Sequence, residues 1–127
     1  MMIYGIGTDI VQIRRIGESI ERFGDRFAKR VLADEEIEEY WSSHHRARFL
    51  AKRFAAKEAV AKALGTGFRY GLAFDEIRVV HDRSGKPGIA YSGCANEQVR
   101  AAHISGTLIT LADERDYVVA FAIAVQA

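Results

Sequence analysis

The chain has 127 residues, of which 49% are hydrophobic and 28% charged, and its formal net charge is +1 at neutral pH. This length fits one compact domain, so we expect residues 1–127 to fold as a single unit. The balanced charge predicts no general affinity for nucleic acid, and no apolar run is long enough to span a bilayer, so no membrane association is expected. With a single cysteine, Cys94, and no signal-peptide pattern at the start, the expected location is the cytoplasm.

The first predicted elements are a strand and an amphipathic helix. Residues 2–11 are rich in Ile, Tyr and Val, which favours a strand that ends near Asp9. Apolar residues then recur at spacings of three and four, which predicts a helix that Gly24 ends or bends. These apolar positions are Ile13, Ile16, Ile20, Phe23 and Phe27.

Two further helices are predicted before the middle of the chain. Asp34 is expected to cap a short helix that runs through Trp41. A longer helix is predicted from about Arg46 to Leu64, closed by Gly65, and a glycine-containing loop follows.

The second half of the chain favours antiparallel strands, with a weak helix candidate over residues 94–102. The predicted strands are 77–81, 89–92, 107–112 and 117–125. The first two are separated by a turn over residues 82–87, and the last two form a hairpin around the charged segment 113–116. Helices early and antiparallel strands late indicate an α+β fold.

Asp9 is the first candidate for a chemical role. It ends the segment Gly5-Ile6-Gly7-Thr8-Asp9, in which two glycines allow another backbone to come close to the predicted strand end. A carboxylate in this position can hold Mg2+, and it can equally cap the helix that follows. The local sequence leaves both roles open.

Glu58 and Lys62 are the next candidates. At 100° per residue, Glu58 lies on a side of the long helix that carries several alanines. A carboxylate among alanines needs a partner, and the small side chains leave room for a metal ion. Asp9, Glu58 and Lys62, together with phosphate oxygens, would complete an Mg2+ site for phosphoryl transfer. An ordinary ion pair between Glu58 and Lys62 is the alternative.

Two turns complete the local candidates. In Gly65-Thr66-Gly67 the glycines can cap the helix or let backbone amides contact a phosphate. The segment is not a P-loop, because it follows a helix and lacks the Gly-Lys-Ser/Thr ending. Gly85-Lys86-Pro87 is a plain turn by default, although its lysine could reach an anion.

A basic cluster lies in and just after the first predicted helix, followed by an acidic block between Asp34 and Glu39. The basic residues are Arg14, Arg15, Arg22, Arg26, Lys29 and Arg30. On a nearly neutral protein, such a face suggests a specific acidic partner. Two solvated helix surfaces are the other interpretation.

The segments around Asp9 and Glu58 resemble the two signature segments of bacterial holo-acyl-carrier-protein synthases. They read Gly5-Ile6-Gly7-Thr8-Asp9-Ile10-Val11 and Arg53-Phe54-Ala55-Ala56-Lys57-Glu58-Ala59-Val60-Ala61-Lys62-Ala63-Leu64-Gly65-Thr66-Gly67. The resemblance continues through Gly85-Lys86-Pro87 and the final strands, so it covers essentially the whole chain.

This resemblance implies an α+β fold of the 4′-phosphopantetheinyl transferase type, assembled as a homotrimer with an active site in each cleft between subunits. It implies that Asp9 and Glu58 bind Mg2+, which also engages the pyrophosphate of coenzyme A. The implied reaction moves 4′-phosphopantetheine from coenzyme A to a serine hydroxyl of apo-acyl carrier protein, in fatty acid biosynthesis, and releases adenosine 3′,5′-bisphosphate. A non-catalytic module that binds coenzyme A or another nucleotide is the alternative function.

The same resemblance implies roles for individual residues. Glu58 and Lys62 are the expected catalytic residues, although Glu58 and a water molecule at the metal both fit the role of general base. Coenzyme A is expected to contact Arg53, Lys62, Gly65, Thr66 and Lys86. The carrier protein is expected to contact Arg14, Arg15, Arg22 and Arg26.

The chain departs from many of these relatives at Asp113. They carry a histidine in the exit turn of the penultimate strand, where this chain reads Thr110-Leu111-Ala112-Asp113. A catalytic or nucleotide-binding role argued from that histidine does not carry over to this chain.

Overall fold

The computed structural model describes all residues from Met1 to Ala127. Its strands are β1 (Met2–Gln12), β2 (Ile77–His81), β3 (Pro87–Tyr91), β4 (Ile104–Asp113) and β5 (Tyr117–Gln126). Its helices are α1 (Ile13–Phe23), α2 (Asp25–Val31), α3 (Asp34–Ser42), α4 (Arg46–Ala63) and α5 (Gly93–Ala101), and a 3₁₀ turn covers Phe74–Glu76. The predicted α+β class is confirmed. None of the helices combines the length and the apolar composition needed to cross a bilayer.

Three strands form one antiparallel sheet in the order β1-β5-β4, and β2 pairs with β3 in a separate hairpin. β1 pairs with β5 along its length, from Met2 opposite Gln126 to Gln12 opposite Tyr117. This pairing carries the strand past its predicted end near Asp9, so that boundary is wrong. Asp9 lies inside the strand, opposite Ala120 of β5.

α4 is the central helix and packs across one face of this sheet, chiefly against β1 and β5. Most of its buried residues are alanines, and β5 also presents alanines on its buried face. The alanines concerned are Ala51, Ala55, Ala56, Ala59, Ala61 and Ala63 of α4, and Ala120, Ala122 and Ala124 of β5. Small side chains on both elements let the helix backbone lie close to the sheet.

The approach is closest where α4 crosses β1. A Cβ atom on Gly5 would overlap the carbonyl oxygen of Ala63, and a Cβ atom on Gly7 would overlap the carbonyl oxygen of Ala59. Alternate residues of a strand point to the same face, so Asp9 points to the side on which these two glycines meet the helix. The contact therefore places the Asp9 carboxylate beside α4.

The helix ends follow the predicted glycines, with one correction in α3. Gly24 separates α1 from α2 with φ of 61°, and Gly65 follows α4 with φ of 84°. Asp34 is the first residue of α3 and not its cap. The N-cap is Ala33, whose N–H donates to the carboxylate of Glu36 at 2.9 Å.

A buried ion-pair cluster fixes α3 against α4. Glu36 is 1% exposed and accepts hydrogen bonds from Lys57 Nζ at 2.6 Å and from the Arg53 guanidinium at 3.1 Å. Lys57 also donates to the carbonyl oxygens of Val31 and Phe74. Burial lowers the pKa of Lys57, and the charge of Glu36 opposes that shift. Removing one partner of such a pair costs about 3–5 kcal/mol, because the other charge is left buried.

We expect Gly7→Ala to destabilise the fold by about 1–3 kcal/mol, because the added methyl group must push α4 away from β1. Gly17→Ala is the matched control, since its Cβ would meet Ala47 at an ordinary 3.7 Å. Alanine within a helix is favoured over glycine by about 0.5–1 kcal/mol, so this control should not lose stability. Urea unfolding measures both, and an unchanged free energy of unfolding for Gly7→Ala would contradict the close contact.

Candidate functional site

Asp9, Glu58 and Lys62 meet where β1 crosses α4. Lys62 Nζ lies 3.3 Å from Asp9 Oδ1 and 2.9 Å from the carbonyl oxygen of Thr8. The side chain of Asp9 is 17% exposed, whereas that of Lys62 is 51% exposed. Asp9 and Glu58 lie close enough for the charge of one to act on the other. The structure thus brings together three residues that the sequence places in two distant segments.

Neither of the local alternatives for these residues is formed. Gln12, and not Asp9, is the N-cap of α1, because β1 continues past Asp9. Glu58 has no ion pair with Lys62, because the lysine extends across to Asp9 instead. The carboxylate of Glu58 therefore remains available for another partner.

The electrostatics of the Asp9 and Glu58 pair favour a cation. Burial raises the pKa of Glu58, the charge of Asp9 raises it further, and Lys62 offsets part of the effect. Two carboxylates that repel each other in this way are stabilised by a cation bound between them. Mg2+ fits, because it prefers oxygen ligands and is commonly held by one or two carboxylates plus water and substrate phosphates. No third Asp, Glu, His or Cys completes a protein cage.

The turn after α4 is closed by its own backbone. The N–H of Gly65 donates to the carbonyl of Lys62 at 3.0 Å, and the N–H of Gly67 donates to that of Ala61 at 3.1 Å. The glycines thus cap the helix, which leaves these two amides unavailable to a phosphate. The Thr66 N–H has no partner within the chain, so it is the amide of this turn that can receive an anion.

A second feature is a cavity of about 520 Å³ between α4, the turn from β2 to β3, and β4. Its charged and titratable lining residues are Lys52, Arg53, His81, Lys86 and Asp113. Arg53 and Lys86 were predicted to meet an anion, but Lys52 and His81 were not. No local signal could have found them, because the cavity depends on contacts between distant segments. An excess of basic groups suits it to an anionic ligand.

Arg53 is held rigidly in the wall of this cavity. Its side chain is 9% exposed, and the guanidinium pairs with Glu36 at 3.1 Å and with Glu39 at 2.9 Å. It also lies over the ring of Phe49, 4.5 Å from the centroid. Arg53, an expected contact of coenzyme A, is therefore an oriented cation whose charge is partly neutralised by two carboxylates.

Asp113 anchors the β4–β5 turn to α4. Its carboxylate lies 2.7 Å from Arg48 and 3.7 Å from Lys52. Arg48 also donates to the carbonyl oxygens of Glu114 and Arg115. The aspartate that replaces a histidine of many relatives thus has a clear structural contact here.

The predicted basic face is exposed on α1 and α2. Arg14, Arg15, Arg22 and Arg26 are all exposed, while Ile16 turns into the core. Arg14 pairs with Glu18 at 3.4 Å, and Arg22 lies over the ring of Phe23 at 5.2 Å. Next to the arginines, a shallow groove of about 270 Å³ is lined by Ser19, Phe23, Arg26, Phe27 and Arg30.

Comparison with known proteins finds one family over most of the chain. A family model described as the 4′-phosphopantetheinyl transferase superfamily matches residues 5–122. A holo-[acyl-carrier-protein] synthase of Halorhodospira halophila is 48% identical over 124 residues, which cover 98% of each chain. The crystal structure of such a synthase from Neisseria meningitidis matches with a TM-score of 0.94 at 44% identity, covering 98% of this chain and 100% of that one.

A third similar structure holds a ligand. It is a Bacillus anthracis holo-(acyl-carrier-protein) synthase in complex with CoA (3′,5′-ADP), with a TM-score of 0.82 and 29% identity. The match covers 100% of both chains.

We expect Glu58→Gln to stabilise the metal-free protein near neutral pH. Because folding raises the pKa of Glu58, its ionisation reduces stability as the pH rises from the unfolded-state pKa through the folded-state pKa. Glutamine does not ionise, so the variant should be more stable than wild type at a pH above that range and should have no such gain in stability below it. Thermal unfolding with a chelator at about pH 3.5 and about pH 7 measures the difference. An equal difference in stability between the variant and wild type at both pH values would contradict the raised pKa of Glu58.

Proposed function

The chain belongs to the 4′-phosphopantetheinyl transferase superfamily, and on that basis we propose that it transfers 4′-phosphopantetheine from coenzyme A to a serine hydroxyl of an apo-acyl carrier protein. The observation that carries this proposal is the meeting of Asp9, Glu58 and Lys62 in a chain with full-length similarity to holo-acyl-carrier-protein synthases. Residues 1–127 would act as one transferase domain in fatty acid biosynthesis. The single cysteine is free, which fits a reducing cytoplasm, where we place the enzyme.

We assign Mg2+ to the carboxylates of Asp9 and Glu58. Bound there, the ion would neutralise charge on the pyrophosphate of coenzyme A and on the leaving group. The mutual repulsion of the two carboxylates supports this assignment, because a cation relieves it. Lys62, held at Asp9, adds a second positive charge beside the same phosphates.

The proposed reaction is an attack by the serine oxygen on the β-phosphate of coenzyme A. A new oxygen–phosphorus bond forms as the bond to the bridging oxygen breaks, and adenosine 3′,5′-bisphosphate leaves. The serine proton passes to Glu58 or to a water molecule at the site. Lys62 and the free amide of Thr66 would bind phosphate oxygens. Gly65 would lie beside them without donating its own N–H, which bonds to the carbonyl of Lys62.

The anionic part of coenzyme A fits the basic cavity. Its positive charge comes from three lining residues, Lys52, Arg53 and Lys86, and the ring of His81 completes this part of the wall. The coenzyme A complex of the Bacillus anthracis relative supports the choice of ligand. A phosphate monoester in such a cavity would accept hydrogen bonds from the arginine and lysine side chains.

We propose that the protein is a homotrimer with its sites between subunits. The face of the three-stranded sheet turned away from α4 is apolar and exposed, which marks it as an interaction surface. Its exposed residues are Ile6, Ile10, Leu108, Val119 and Phe121. Along β5 the small buried residues Ala120 and Ala122 alternate with these large exposed ones, so the outer face is suited to burial against other copies.

The carrier protein is proposed to dock on the basic face of α1 and α2. Arg14, Arg15, Arg22 and Arg26 supply the charge that an acidic partner would recognise. The groove beside them exposes Phe23, 48% accessible, which would add an apolar contact.

Incubation with Mg2+, coenzyme A and an apo-acyl carrier protein should add the mass of phosphopantetheine to the carrier protein, as mass spectrometry measures. We expect Asp9→Asn and Glu58→Gln each to lower kcat by about 100-fold or more, because each removes a stabiliser of phosphate charge. Glu97→Gln is the control, since Glu97 is exposed on α5 and forms no ion pair. Near-normal turnover of both site variants at saturating Mg2+ would refute the metal assignment, and no mass gain with wild type would refute the function.

We expect Phe121→Lys to dissociate the trimer and abolish transfer, because it buries a charge in the proposed interface. Glu97→Lys should leave both unchanged, since Glu97 is exposed on α5 and forms no ion pair. Sedimentation equilibrium and the transfer assay measure the two effects. A fully active monomer would show that each subunit carries a complete site.

Charge reversal on α1 should act on one substrate only. We expect Arg14→Glu, and to a lesser degree Arg22→Glu, to raise the KM for the carrier protein by about tenfold and leave the KM for coenzyme A unchanged. The wild-type KM for the carrier protein should also rise with salt, which screens the attraction. Arg100→Glu on α5 is the control for a general loss of positive charge. A carrier-protein KM that responds neither to reversal nor to salt would exclude this face as the docking site.

A further inference from the structure

Glu39 forms an ion pair with Arg53, which lines the basic cavity. Glu39 Oε2 lies 2.9 Å from one terminal nitrogen of Arg53, Nη2, while the other, Nη1, pairs with the buried Glu36. The Glu39 side chain is 55% exposed, whereas that of Arg53 is 9% exposed. The exposed carboxylate thus covers the end of the guanidinium that is turned away from the core.

Arg53 does not depend on Glu39 for its position. Its Nη1 atom is held by Glu36, and its guanidinium lies over the ring of Phe49. Glu36 is itself fixed by Lys57 and by the backbone N–H of Ala33. Removing Glu39 would therefore free one end of the guanidinium and leave the rest of its contacts in place.

Two lining residues of the cavity, Lys52 and Arg53, have a charge that is paired with a carboxylate that solvent reaches. Of these carboxylates, Asp113 is also held by Arg48 at 2.7 Å, whereas Glu39 is more exposed and has Arg53 as its one ion-pair partner. Lys86 and His81 have no carboxylate within ion-pair distance, and Lys52 pairs with Asp113 at 3.7 Å. The pair with Glu39 is exposed on its carboxylate side, and such pairs contribute little stability. A phosphate oxygen accepts hydrogen bonds from a guanidinium as a carboxylate oxygen does, so a ligand phosphate would compete with Glu39 for the Nη2 donor of Arg53.

We propose that Glu39 is an internal competitor for the phosphate groups of the substrate. A ligand phosphate in the cavity displaces the Glu39 carboxylate from Arg53, and the energy of that exchange sets the affinity for coenzyme A. Glu39 would thus be a residue that determines substrate affinity while itself making no contact with the reacting atoms. This inference rests on the proposed function, because it takes coenzyme A as the ligand of the cavity.

The test compares Glu39→Gln with wild type and with Glu38→Gln. Both variants remove one negative charge from α3, but Glu38 forms no ion pair, so it controls for a general change in electrostatic potential. Isothermal titration of the full-length protein with coenzyme A in the presence of Mg2+ gives the dissociation constants. We expect Glu39→Gln to bind about twofold to fivefold more tightly than wild type, the range that an exposed ion pair can account for. The KM for coenzyme A should fall by a similar factor, while the KM for the carrier protein stays unchanged.

Unchanged or weaker binding by Glu39→Gln would overturn the inference, and so would an equal gain in both variants, which would indicate a field effect without competition. These results leave the proposed function intact as long as wild type binds coenzyme A and modifies a carrier protein. Failure of wild type to bind coenzyme A at all would overturn both.

Discussion

The candidate site depends on a contact between two backbones with no side chain between them. Gly5 and Gly7 of β1 lie directly against the carbonyl oxygens of Ala63 and Ala59 in α4. Interiors are packed so tightly that a single methyl group at either glycine would force the two elements apart. Asp9 points to the same face of the strand as the two glycines. Only at this separation can its carboxylate lie beside that of Glu58 in α4. The glycines of β1 and the alanines of α4 are therefore required to bring the two carboxylates together.

A second constraint fixes the rotation of α4. Lys57 is buried and saturated by a carboxylate and two carbonyl groups, and Arg53, one turn earlier, is bound to the same carboxylate of Glu36. Because consecutive helical residues diverge by 100°, anchoring Lys57 on one side directs Glu58 toward β1. The helix thus presents two different faces, one that carries Glu58 toward Asp9 and one that lines the basic cavity. This buried ionic cluster contributes mainly by orienting α4, because the cost of desolvating its charges offsets the stability gained from their attraction.

The sequence indicated most elements and the key pair of carboxylates, but it could not supply long-range partners. Apolar spacing and glycines were enough to place α1 and α4, because those signals are local. A solvated helix surface is one of the two interpretations that the sequence leaves open for the acidic block of α3, yet Glu36 is 1% exposed within it. Nothing local distinguishes Glu36 from its neighbours, because its partners come from α4. The partner of Lys62 also comes from a distant segment, because its side chain reaches across to Asp9 rather than to Glu58 one turn away.

The most direct test of this account is a crystal structure of the protein with coenzyme A and Mn2+, a substitute for Mg2+ that can be located by its anomalous scattering. We expect one ion bound by carboxylate oxygens of both Asp9 and Glu58, with a pyrophosphate oxygen of coenzyme A in its coordination sphere. An ion held by other residues, or one that leaves either of these carboxylates out, would contradict the claim that the contact between β1 and α4 exists to build a metal site.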